Sequence, residues 1–125
     1  MIDEVLLFNI INTERQKKGV EPLILDTRLM QSAANKCMDL SDKGSLGDLS
    51  VDAGSAAYIR KQTGGDYRNL GSISTIGYEL DSVLRSFVKN SGSKEYIFDP
   101  KFTHAGVGTS IYEGRIMFIT LHLAG

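Results

Sequence analysis

The stretch Ala105-Gly106-Val107-Gly108-Thr109-Ser110-Ile111-Tyr112-Glu113-Gly114-Arg115-Ile116-Met117-Phe118-Ile119-Thr120-Leu121-His122-Leu123 decides the architecture. It reads as two strands, 105–112 and 115–123, joined by Glu113-Gly114 as a two-residue turn. In the second strand Ile116, Met117, Phe118, Ile119 and Leu121 put apolar side chains on both faces. A half-solvated antiparallel sheet does not tolerate that pattern, whereas a sheet covered on both sides requires it. The expected layers are therefore helix, sheet, helix: an α+β fold, a three-layer α-β-α sandwich around a mainly antiparallel sheet.

Working outward, the helices that could supply the outer layers carry apolar stripes. Leu80, Val83, Leu84, Phe87 and Val88 follow i, i+3, i+4, i+7, i+8 spacing and predict a helix ending at Ser91-Gly92. Leu29, Ala33, Cys37 and Leu40 lie on one face of a second helix for which Asp26 is the expected N-cap. From Ile2 to about Lys18 apolar residues cover most of a helical circumference, which predicts a helix packed on more than one side and stopped at Gly19. The extended segment 21–25 links these two. Between Ser41 and Thr75, rich in Gly, Ser and Asp, a short helix at 51–61 and a strand at 67–73 are the only elements expected.

The whole chain of 125 residues, 1–125, fits one domain without internal repeats. A formal charge of −1 argues against a nucleic-acid partner. No run approaches the roughly 20 apolar residues of a membrane helix, and the first residues lack the basic start of a signal peptide. Cys37 is the one cysteine, so no internal disulfide is available.

Three motifs then acquire meaning together. Asn12-Thr13-Glu14-Arg15 ends the first helix, Pro22-Leu23-Ile24-Leu25-Asp26-Thr27-Arg28-Leu29 leads into the second, and Asp99-Pro100-Lys101-Phe102-Thr103-His104-Ala105-Gly106-Val107-Gly108 opens the hairpin. In this order the chain resembles the bacterial, cysteine-poor members of the CAP superfamily, with their N-x-x-R, P-L-x-x-D-x-x-L and D-P-x-F-x-x-x-G-V-G segments. The resemblance implies the same α-β-α sandwich. It also implies a cleft of two histidines and two glutamates, which in some members holds a divalent metal.

Here the matching positions carry other residues. Asp48 stands where the first histidine would, Gly71 in Leu70-Gly71-Ser72 where the G-E-N glutamate would, and Ser93 in Ser91-Gly92-Ser93-Lys94 where the second histidine would. No histidine lies between Met1 and Thr103. Cys37, His104 and His122 are the only thiol or imidazole donors, and with Tyr112 opposite Arg115 the two histidines would point to opposite faces, so no metal and no other cofactor is expected. G-x-S-x-G is absent, and Ser91-Gly92-Ser93-Lys94 meets only the loose S-x-x-K pattern, which a helix end explains without chemistry. Gly64-Gly65 and Gly106-Val107-Gly108 lack phosphate-loop spacing. Arg60-Lys61 and Lys17-Lys18, even with Tyr58 and Tyr67 nearby, are expected to be solvated.

These residues lead to the expectation of a non-catalytic CAP module with its former cleft, Asp48, Asn69, Gly71, Ser72, Ser93 and Lys94, as the binding surface. The resemblance implies a secreted or cell-surface location, with a possible lipid anchor upstream, and a protein or lipid ligand outside the cytoplasm. The alternatives are a lipid- or sterol-binding protein, which needs an apolar groove of roughly 300 Å³ or more, and a hydrolase rebuilt from Asp48, Ser93 and Lys94, which needs those side chains within hydrogen-bond reach.

Overall fold

The computed structural model describes residues 2–43, 59–61, 63–65, 67–114 and 116–125. Its elements are α1 (Glu4–Lys17), β1 (Ile24–Leu25), α2 (Thr27–Lys43), β2 (Leu70–Gly77), α3 (Leu80–Lys89), α4 (Ser91–Ile97), β3 (His104–Tyr112) and β4 (Ile116–Ala124). The four strands lie in the order β1-β3-β4-β2, with β1 parallel to β3 and the other pairs antiparallel.

Strand alternation sorts the side chains into two layers. Ala105, Val107, Met117, Ile119, Leu121, Leu123 and Ile73 face one way and form the main core with Leu7, Phe8 and Ile11 of α1, Val83 and Phe87 of α3 and Ile97 of α4. On the other face α2 lies across β3 and β4. Its expected stripe, Leu29, Ala33, Cys37 and Leu40, is buried throughout. Both faces of β4 are covered, as its apolar run requires, and the fold is the α-β-α sandwich read from the hairpin.

The motifs turn out to be the joints between layers. Asn12 clamps the backbone of Leu23, donating from Nδ2 to its carbonyl at 3.0 Å and accepting its N–H at 2.7 Å. Arg15, 1 % exposed, donates to four carbonyls: Glu21 (2.8 Å), Ile97 (2.5 Å), Asp99 (3.3 Å) and Phe102 (3.0 Å). Burial pushes its pKa down and the neighbouring Asp99 charge opposes this. Gly106 and Gly108 lie directly beneath α2: a Cβ at either would run into the backbone between Leu29 and Met30 or between Ala33 and Ala34.

Several expectations are corrected. The hairpin pairs Tyr112 with Ile116, so His122 stands opposite Gly106 and His104 opposite Ala124. Both histidines therefore share the α2 face, not opposite faces. The reason is burial: only a register with this parity puts Ala105 and Val107 on the same side as Leu121 and Leu123. Glu113 and Gly114 both take positive φ, 53° and 73°. Ser91-Gly92-Ser93-Lys94 does not end a helix but opens α4, where the Asn90 side chain accepts the N–H groups of Gly92 and Ser93. The strand expected at 67–73 lies at Leu70–Gly77. α1 packs on one side only, leaving Val5 and Leu6 about half exposed. Of the helix expected at 51–61, positions 51–58 lie outside the described residues and 59–61 are helical.

Candidate functional site

The expected cleft positions fall on β2, the segment before it and α4. Asn69 joins the chain terminus to β2, exchanging two backbone bonds with Gly125, at 2.8 and 2.9 Å. Gly71 and Ser72, as neighbours on a strand, point to opposite layers. Gly71 faces α4, where an ideal Cβ would come within 2.5 Å of the Tyr96 ring. Tyr96 is one turn beyond Ser93 and is stacked on Phe102 at 5.7 Å. An aromatic ring thus fills the space that a side chain at 71 would need. Ser93 is buried, while Lys94 is exposed on the outer side of the same helix. No hydrogen bond joins Ser93 to Lys94 among the described residues, and Asp48 lies outside them.

Ser72 belongs to the opposite layer, next to His122 in the strand register. His122 is fully buried, and its Nδ1 is 2.7 Å from Ser32 Oγ, which also donates to the Leu29 carbonyl. Ser72 Oγ is buried without a partner among the described residues. One step along, Thr120 Oγ1 meets Ser74 Oγ at 2.8 Å and Cys37 Sγ at 3.1 Å. Burial, only partly offset by the Thr120 bonds, pushes the Cys37 thiol pKa up to about 12, so the sulfur stays protonated and unreactive at neutral pH. The seam between α2 and the sheet is polar yet closed to solvent.

A second polar group lies at the sheet border and spans residues far apart in sequence. The Tyr67 hydroxyl donates to Asp26 and accepts from Arg28 at 2.7 Å. Arg28 also sits over the Tyr67 ring at 5.3 Å, and His104 packs against that ring at 5.9 Å. Asp26 Oδ1 meanwhile accepts the Arg28 N–H, the expected helix cap. Burial works to raise the Asp26 pKa, but the bonds from Tyr67 and Arg28 outweigh it and hold the carboxyl below its usual range. A depressed carboxyl contributes stability above its ordinary pKa, which is lost as pH falls towards the lowered value. Tyr67→Phe is expected to cost about 1 kcal/mol at neutral pH and to flatten the acid limb of the stability curve. Urea midpoints measured down to about pH 2 check both effects.

Between α1, α3 and α4 runs an open groove of about 850 Å³. Leu84, Val88 and Phe98 form its apolar part, with Lys18 and Lys94 among the charged residues around it. Among the described residues no group of three or more His, Cys, Asp or Glu could hold a metal ion, and no helix is long and apolar enough to cross a membrane.

A mixed four-stranded sheet with α2 on one face and three helices on the other, tied together at Asn12 and Arg15, defines an SCP-type α-β-α sandwich. The chain belongs to the CAP family of cysteine-rich secretory proteins, whose family profile matches residues 8–122. It is 33 % identical over 106 residues to the uncharacterised protein YkwD of Bacillus subtilis, covering 84 % of this chain and 41 % of that protein. This chain thus spans less than half the length of that relative. Among solved structures it is similar to an outer surface protein of Borrelia burgdorferi, with TM-score 0.82, 17 % identity and coverage of 95 % of this chain and 89 % of that one. It is also similar to an extracellular SCP-domain protein of Bacillus anthracis, with TM-score 0.79, 17 % identity and coverage of 97 % and 39 %. At such identities these two likenesses concern the fold.

Proposed function

We propose that this CAP domain works outside the cytoplasm as a non-catalytic binding module that has lost the family's His/Glu metal cleft. The observation that carries this reading is the Tyr96 ring standing against Gly71: at the position matching the family's glutamate there is no carboxylate, and the ring occupies the space that one would need. Serine at position 93 agrees, since a hydroxyl is a poor substitute for imidazole as a zinc ligand. The rebuilt-hydrolase alternative loses support because buried Ser93 and exposed Lys94 do not form a nucleophile–base pair. The extracytoplasmic setting rests on the likeness to outer-surface and extracellular proteins. Of the expected binding positions, Gly71, Ser72 and Ser93 are buried and Ser72 serves the α2 layer, so among the described residues the reading keeps Asn69 and Lys94 as the positions offered to a ligand, which is a protein or lipid.

A zinc titration followed by amide NMR tests the reading. The expected result is no saturable shift at residues 69–72 or 91–96. Shifts there that saturate at micromolar zinc, or turnover of ester or peptide substrates, overturn it.

The lipid reading has its own observation, the groove bordered by Leu84, Val88, Phe98 and Lys94, which exceeds the roughly 300 Å³ that a small-molecule site needs. Delipidated protein titrated with a fluorescent fatty acid separates the two. Saturable binding weakened by Val88→Asp selects carriage, and its absence leaves the protein-binding module.

A further inference from the structure

β2 is the long border of the sheet: among the described residues it pairs with β4 alone. In an antiparallel ladder alternate residues direct N–H and C=O away from the neighbour, so about half of these groups in β2 face outward. Natural edge strands are protected by lysines, prolines, bulges or short length. Leu70-Gly71-Ser72-Ile73-Ser74-Thr75-Ile76-Gly77 has no charge and no proline, and it runs one-to-one with β4 from Leu70↔Ala124 to Gly77↔Met117 without a bulge. Its outer end and the bend that follows carry exposed apolar groups: Ile76 in the strand is 45 % exposed and Tyr78, the first residue after it, 65 %.

The adjoining helix presents a matching flank on the same border. Glu79, Ser82, Ser86 and Lys89 follow i, i+3, i+7, i+10 spacing along one side of α3. That side overhangs β2, because Ser86 Oγ meets Thr75 Oγ1 at 2.9 Å and Ser82 Oγ lies beside Gly77. The flank is small in the middle, acidic at its N-terminal end and basic at its C-terminal end. Glu79 and Lys89 are both exposed.

We propose that this border is a self-association surface on which a second copy of the chain adds antiparallel to residues 74–78 about a two-fold axis at Ile76. The axis, normal to the sheet, sets Ile76 against Ile76 of the partner subunit and Ser74 against Tyr78 of the partner subunit. It continues the sheet from four strands to eight with like layers side by side. It also runs the two α3 flanks antiparallel, so their serines allow close approach and Glu79 at each end meets Lys89 of the partner subunit. Charge selects the occupant: an antiparallel copy places opposite charges together twice, whereas a parallel one opposes like charges.

Sedimentation velocity and light scattering on the whole chain, from micromolar to millimolar concentration, test the proposal. The expected result is a concentration-dependent doubling of mass. Ile76→Lys and Lys89→Glu each weaken the dimer by about tenfold or more, and Glu79→Lys with Lys89→Glu restores it. All three side chains are exposed, so a wild-type urea midpoint, measured at a concentration low enough that every chain is monomeric, verifies that each variant folds. A chain that stays monomeric at millimolar concentration overturns the proposal, as does a dimer that both Ile76→Lys and Lys89→Glu leave unchanged.

Discussion

Arg15→Ala is expected to cost about 4 kcal/mol, a large part of the roughly 5–15 kcal/mol that holds a domain of this size together. The guanidinium is almost wholly buried and each of its three nitrogens donates to backbone carbonyls, those of Glu21, Ile97, Asp99 and Phe102. These acceptors come from the linker before β1, from the last residue of α4 and from the chain between α4 and β3, so one side chain on α1 joins the linker to the end of α4 and the approach to β3. Truncation orphans the carbonyls together and leaves a void at the end of α1. Arg15→Lys keeps the charge but not the planar fork, and an ammonium cannot reach all four acceptors in their present directions. Its expected cost is about 2 kcal/mol. Urea denaturation with a shared m-value gives both numbers. An Arg15→Ala protein within about 1 kcal/mol of wild type would show that water replaces the clamp.

Gly106→Ala is the second large effect, with an expected loss of about 3 kcal/mol and a displacement of α2. The added methyl group would occupy the peptide unit between Leu29 and Met30, and neither backbone can yield as a flexible side chain could. To admit it, α2 must lift off β3. That movement loosens the Ser32–His122 and Cys37–Thr120 contacts and opens the seam to water. Gly108→Ala, against Ala33 and Ala34, should act alike. Hydrogen exchange gives a specific signature: protection falls along α2 and β3 and is retained in α1 and α3. Uniform loss across the chain would mean that the helix layers unfold as one unit. Increased reactivity of Cys37 towards a thiol reagent provides an independent reading of the same displacement.

Such effects could not be priced from sequence, although the residues were visible there. Asn12, Arg15, Gly106 and Gly108 stood out as family motifs, yet nothing local says that Arg15 reaches carbonyls 82 to 87 positions away. The stripes of α2 and α3 were legible because burial on one side of a helix imposes its period on the sequence. The α1 pattern overstated its burial, since exposed Val5 and Leu6 satisfy the same period without contacting the core. The turn at Glu113-Gly114 suggested a hairpin register one residue away from the real one, because register is settled by which faces bury Val107 and Leu121 rather than by the turn alone. Ser91-Gly92 looked like a stop from composition, while Asn90 makes it a start.

The candidate site divides in the same way. That Gly71 and Ser93 lack imidazole or carboxylate was plain from the chain itself. That Tyr96 fills the space beside Gly71, that Gly71 and Ser72 serve opposite layers, and that Tyr67 ties to Asp26 and Arg28 came only with the fold. By itself the sequence determined which segments carry apolar faces, and hence the layered α-β-α class, because periodicity is a local consequence of burial. Only the tertiary structure decided the strand register, the shared face of the two histidines and the packing at position 71, because each depends on residues that meet through space and leave no periodic trace along the chain.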